Sequence, residues 1–128
     1  MKILFAAPDR DLLECFKQLF ETDLGETVTA FDGTQVMTLL SAEDFDVLII
    51  DRKIPRVDYK AIIERANSKK VPAIVLTDEP AGARRTDDPL PYRRMSYPFT
   101  FDGIRKTVID TLEKGRTEER TESVSEDV

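Results

Sequence analysis

Short apolar runs in this chain take turns with stretches of helical period, and that alternation constrains its fold more than any other feature. Residues 3–7 (ILFAA) form a continuous apolar run of the kind that a strand covered on both faces requires. Asp9-Arg10-Asp11 then opens a helical pattern that places Leu12, Phe16, Leu19 and Phe20 on one face, with Asp9 where an N-cap acceptor belongs. Residues 27–30 read as a second strand, and Gly33-Thr34 starts a second helix carrying Val36, Met37, Leu39 and Leu40. Residues 47–50 form a third strand, wholly apolar and rich in β-branched side chains. A third helix spans residues 59–67, capped by Asp58, with Ile62, Ile63 and Ala66 on its inner face. Residues 72–76 are a fourth strand ending at Thr77. The last helix, residues 101–114, groups Ile104, Val108, Ile109 and Leu112, with Gly115 as its stop. Strands alternating with helices call for an α/β architecture, a parallel sheet with helices on both faces. Short right-handed crossovers then lead to a doubly wound, flavodoxin-like sheet of five strands in the order 2-1-3-4-5.

Two stretches break the rhythm. Residues 78–98 read DEPAGARRTDDPLPYRRMSYP, where the alternation calls for a helix and then a strand. Pro89 and Pro91 would each interrupt a helix, so the fourth helix is expected to be short or missing. The expectation is one turn at most over residues 81–85, then loop with Asp87-Asp88 as turn formers, then a weak edge strand over residues 92–96. The second stretch is the polar, charged tail GRTEERTESVSEDV, which cannot offset its ordering entropy. The reading is one domain over residues 1–114, followed by a disordered acidic tail, linker or frayed helical extension over residues 115–128.

Composition excludes several classes of function. The net charge of -6 argues against a general binder of nucleic acid or of anionic membrane. There is no histidine, so imidazole acid-base catalysis and histidine metal sites are excluded. No glycine-rich phosphate loop follows the first strand. The single Cys15 allows no internal disulfide and, lying inside an apolar helical pattern, is expected to be inert packing. The opening apolar run is too short for a signal-peptide core or a membrane span, which points to the cytoplasm.

Several pieces then stand in a telling order: MKILF in the first strand, DLL in the first helix, DVLIIDRKIP, VPAIVLT, and YPF before the last helix. Together they resemble the receiver domains of bacterial two-component response regulators, CheY-like in fold, over about residues 1 to 114. The resemblance implies that Asp51, at the tip of the third strand, corresponds to the acid that accepts a phosphoryl group from a kinase's phosphohistidine. It implies three helpers: an acidic pair at positions 7 and 8 that binds Mg²⁺, a switch hydroxyl at Thr77, and a lysine at position 97. An aromatic accompanying the switch falls near position 94. The sequence departs from this pattern, with Ala7, Pro8, Tyr97 and Arg94 at those places. Asp9 is a weak metal candidate beside Asp51, and helix capping is the simpler account of it. Tyr97 offers one hydrogen bond and no charge. Each lost electrostatic contact is worth about 3 kcal/mol in a dry site.

The resemblance therefore points to a degenerate receiver: a non-enzymatic, cofactor-free regulator working through protein contacts, largely independent of phosphorylation. The alternative is a conventional Mg²⁺-dependent phosphoacceptor using Asp51. Arg52, Lys53 and Arg94 are the candidate charge partners of Asp51, one of them standing in for the missing metal. The candidate partner surface comprises Arg84, Arg85, Tyr92, Arg93 and Arg94, facing a signalling protein or a second copy of the chain.

Overall fold

A computed structural model describes residues 1–78 and 92–124, with the side chains of the last helix as far as Glu113. The elements are β1 (Lys2–Ala6), α1 (Arg10–Asp23), β2 (Glu26–Ala30), α2 (Gly33–Ala42), β3 (Val47–Asp51), α3 (Tyr59–Ser68), β4 (Ala73–Thr77), β5 (Arg93–Ser96) and α4 (Phe101–Val124). The sheet is parallel throughout, in the order β2-β1-β3-β4-β5. The expected architecture is thus the observed one. The short turn expected over residues 81–85, and Asp87-Asp88, lie outside the described residues.

Strand alternation divides the core in two. Leu4, Leu48, Ile50 and Val75 face one side, where α2 and α3 cover them with Val36, Leu40, Ile62 and Ile63. Ile3, Phe5, Val47, Ile49, Ile74 and Leu76 face the other, under α1 and α4 with Leu13, Phe20, Ile104 and Val108. With both faces covered, the three central strands have no polar alternation, which is why they read as unbroken apolar runs.

Three expectations need correction. In α1 Phe20 is buried and Leu12 and Phe16 pack against the core as expected, but Leu19 is 38% exposed and Leu13 is buried instead. Cys15 lies on the far side of the same helix and is exposed, not packed. Helix α4 does not stop at Gly115 but continues to Val124. One glycine inside a helix costs only about 1 kcal/mol, and no proline follows to end it. The two expected N-caps hold, Asp9 on α1 and Asp58 on α3, and Asp32, which the sequence did not single out, caps α2.

The turn after β3, which carries the site, is fixed against α2. Gly33 donates its N–H to the Pro55 carbonyl at 2.8 Å. A Cβ at Gly33 would stand 2.6 Å from the Val57 Cβ and 2.9 Å from the Val57 backbone nitrogen, so only glycine lets the turn come this close. Gly33→Ala should cost about 1–3 kcal/mol through overpacking, read as a lowered urea midpoint at unchanged slope.

Candidate functional site

The site forms at the carboxyl ends of β3, β4 and β5. Asp51 ends β3 in register with Leu76 of β4, which in turn faces Met95 of β5. Asp51 shares its parity with Val47 and Ile49, so its side chain leans toward the α1–α4 side. Tyr97, two residues past Met95, leans the same way, and its backbone N–H donates to the Thr77 carbonyl at 2.8 Å. The two side chains meet: the Tyr97 hydroxyl donates to Asp51 Oδ2 at 2.7 Å. The other carboxylate oxygen, Oδ1, accepts the backbone N–H of Lys53 at 2.8 Å. Asp51 is buried, 8% exposed, and among the described residues its two hydrogen-bonded donors are both neutral.

The expected ion pair with Lys53 is not made. The Lys53 ammonium turns outward to Asp78 Oδ2 at 2.7 Å. Each partner holds the other in its charged form: the bond to Asp78 raises the lysine pKa, and the bond to Lys53 lowers that of the carboxylate. The physical reason is solvation. Both groups are more than half exposed and reach one another across the surface, whereas bringing an ammonium onto Asp51 would mean burying it. Among the described residues, Asp51 accepts from a hydroxyl and a peptide N–H, and its ion pairs include none with Arg52 or Arg94.

Thr77, the expected switch hydroxyl, is buried at the end of β4, one residue along from the position facing Asp51. Asp51, Arg52, Lys53, Thr77, Asp78 and Tyr97 together line a cleft of about 100 Å³. Asp78 is the site residue that sequence reasoning missed. Its signal was its place, an acid immediately beyond the threonine that ends the fourth strand.

Among the described residues, no neighbour supplies the acids missing at positions 7 and 8. Ala7 is fully buried and Pro8 has no side-chain donor atom. Asp9 Oδ1 accepts from the N–H groups of Asp11 at 3.0 Å and Leu12 at 3.2 Å, so it is engaged in capping α1. Among the described residues no group of three or more His, Cys, Asp or Glu side chains is placed to hold a metal ion. The donor set among the described residues offers fewer oxygen ligands than Mg²⁺ takes.

Burial is the main cause that pushes the Tyr97 hydroxyl pKa well above the ordinary tyrosine value of 10.0, and its bond to the Asp51 carboxylate adds to it. The hydroxyl therefore keeps its proton and remains a donor at neutral pH. A pKa raised in the folded state means that the fold holds the proton more tightly than the unfolded chain does. Stability from this group is complete below the unfolded value and is lost as pH rises through and beyond it. Chemical denaturation at a series of pH values above about 10 should show wild type losing stability more steeply than Tyr97→Phe.

The proposed partner residues are only partly brought together. Arg84 and Arg85 lie outside the described residues. Arg93 and Arg94 project from opposite faces of β5, as neighbours on a strand must. Arg93 faces the α1–α4 side and pairs with Asp110 of α4 at 2.5 Å. Arg94 faces the other side, where Tyr92 packs edge-on against Tyr59 of α3 at 6.4 Å. The sequence run YRR is thus two surfaces, not one patch.

Comparison with known proteins agrees with this geometry. No family model matches the chain. The response regulator GtcR of Aneurinibacillus migulanus is 30% identical over 76 residues, which are 59% of this chain and 31% of that protein, so the match spans about a third of the relative. Among solved structures, the receiver protein from Sinorhizobium medicae superposes with a TM-score of 0.79 at 20% identity, covering 90% of this chain and 96% of that one. The signal receiver domain of an HD domain-containing protein from Pseudomonas fluorescens gives 0.77 at 22% identity, with 93% and 91% covered. The Francisella response regulator 1452 receiver domain gives 0.74 at 24% identity, with 88% and 97% covered. Among the described residues no helix is long and apolar enough to cross a membrane. Sheet order, strand register and these superpositions together identify the fold of the chain as that of the CheY-like receiver domains of response regulators.

Proposed function

We propose that this chain is an atypical receiver, a two-component signalling regulator that acts through protein contacts with little dependence on phosphorylation of Asp51. The observation that carries the proposal is the 2.7 Å bond from the Tyr97 hydroxyl to Asp51. It puts a neutral donor where the receiver pattern calls for a lysine. Ala7 and Pro8, at the places of the acidic pair, supply no anionic ligand to a metal. A dianionic phosphoryl group on Asp51 would thus form without two of the charges that stabilise its transfer. The protein partner belongs on the β5 edge, whose two faces present different chemistry: Tyr92 and Arg94 on one, Arg93 with Met95 on the other. That partner is a signalling protein or a second copy of the chain.

The conventional phosphoacceptor reading has one observation in its favour: Asp51 and Thr77 both stand at the strand tips where that chemistry needs them. Incubation with Mg²⁺ and acetyl phosphate, followed by intact mass measurement, separates the two. The expected result is an unchanged mass. A phosphoryl adduct that disappears in Asp51→Asn would replace the proposal with the conventional reading.

A further inference from the structure

We propose that the corner between β3 and α3 is a binding site for a small phosphate monoester. The site adjoins the Asp51 cleft, with which it shares Arg52, and it does not depend on whether Asp51 takes a phosphoryl group.

The corner holds a cleft of about 400 Å³, within the size range of small-molecule sites. Its floor is apolar: Ile54 and Tyr59 are buried in the core under α3, and Val57 packs against the same cluster. Its charged lining is Arg52, Arg56 and Lys60 against one acid, Asp58. That acid is turned to the helix, where its Oδ1 accepts the Lys60 backbone N–H at 3.0 Å. Three cations to one acid stand out in a chain of net charge -6, and a cleft lined by one sign of charge concentrates the opposite ion.

The turn is held in this shape from behind. Arg56 has a φ of 78°, a left-handed conformation that glycine takes without strain and arginine does not. Its Nε lies 3.4 Å from Asp32 Oδ2, and next to it the Pro55 carbonyl accepts the Gly33 N–H. The Arg56 side chain is thus pinned through Nε while remaining 71% exposed at the rim of the cleft. Arg52 and Lys60 each engage a neighbour of their own. A guanidinium carries five N–H donors and an ammonium three, so one partner leaves donors over for a ligand.

The ligand class follows from this set. Two guanidinium groups and an ammonium match a dianion with several acceptor oxygens, and arginine binds phosphate oxygens in pairs. The apolar floor calls for an organic group carried on that phosphate, which a bare phosphate ion lacks.

The test is backbone amide NMR of the full chain, titrated at fixed ionic strength with phenyl phosphate, inorganic phosphate and benzenesulfonate. Phenyl phosphate should give saturable shifts over residues 52–60 at lower concentration than either of the others, since one lacks the ring and the other the second charge. Arg56→Gln and Lys60→Gln should each raise its half-saturating concentration about tenfold. Lys60 stands on the surface of α3, so its variant keeps the fold even where the strained turn does not tolerate the change at Arg56. No saturation by about 10 mM phenyl phosphate would overturn the proposal. Shifts centred on residues 77, 78 and 97, equal affinity for inorganic phosphate or benzenesulfonate, or unchanged affinity in Lys60→Gln would do the same.

Discussion

A variant carrying Ala7→Asp, Pro8→Asp and Tyr97→Lys should take a phosphoryl group from acetyl phosphate onto Asp51 in Mg²⁺ about four powers of ten faster than wild type. Two preorganised electrostatic contacts, each worth about 3 kcal/mol in a water-poor site, account for that factor. The acceptor itself needs no change, since Asp51 already ends β3 on a rigid, fully paired strand. Pro8 is exposed, so an acid there is tolerated. Ala7 is fully buried, so an acid there costs stability until a cation is bound. The variant should for that reason melt at a higher temperature with Mg²⁺ than without it, a dependence that wild type should not show. Adding Asp51→Asn to the three changes should abolish the adduct. A wild-type chain that labels as fast as the variant would mean that the missing charges do not limit the reaction.

The sequence made the sheet legible because its signal is redundant. Three wholly apolar runs of strand length, separated by helical periods, leave one economical architecture, and the acid at residue 51 falls at a strand tip under any plausible register. The threonine ending the fourth strand was legible for the same reason. Side-chain pairing was not. Whether Lys53 turns to Asp51 or Asp78 depends on which carboxylate lies nearer solvent, and that is set by the packing of three strand ends. Arg93 and Arg94 look like one basic patch in the sequence, although the strand period of two separates them. The end of α4 was misplaced because glycine is a strong stop only where a cap geometry also forms, and the helix passes through residue 115.

Phe20→Ala should lower the unfolding free energy by about 3–5 kcal/mol, while Leu19→Ala should cost under about 1 kcal/mol. The pair tests which row of α1 is buried. Leu12 and Leu19 are seven residues apart, as are Leu13 and Phe20, so the sequence presents two neighbouring apolar rows of equal period. Periodicity alone cannot choose between them. The choice comes from the sheet: Phe5 of β1 projects toward α1 and takes Phe20 at 5.6 Å and Phe16 at 5.9 Å, which rotates Leu13 inward and Leu19 out. Phe20 is fully buried and touches three other rings, so its removal leaves a cavity the size of a phenyl group. A small domain holds about 5–15 kcal/mol in total, so the loss should appear as a large fall in the urea midpoint. Comparable costs for the two substitutions would place the buried row of the helix elsewhere.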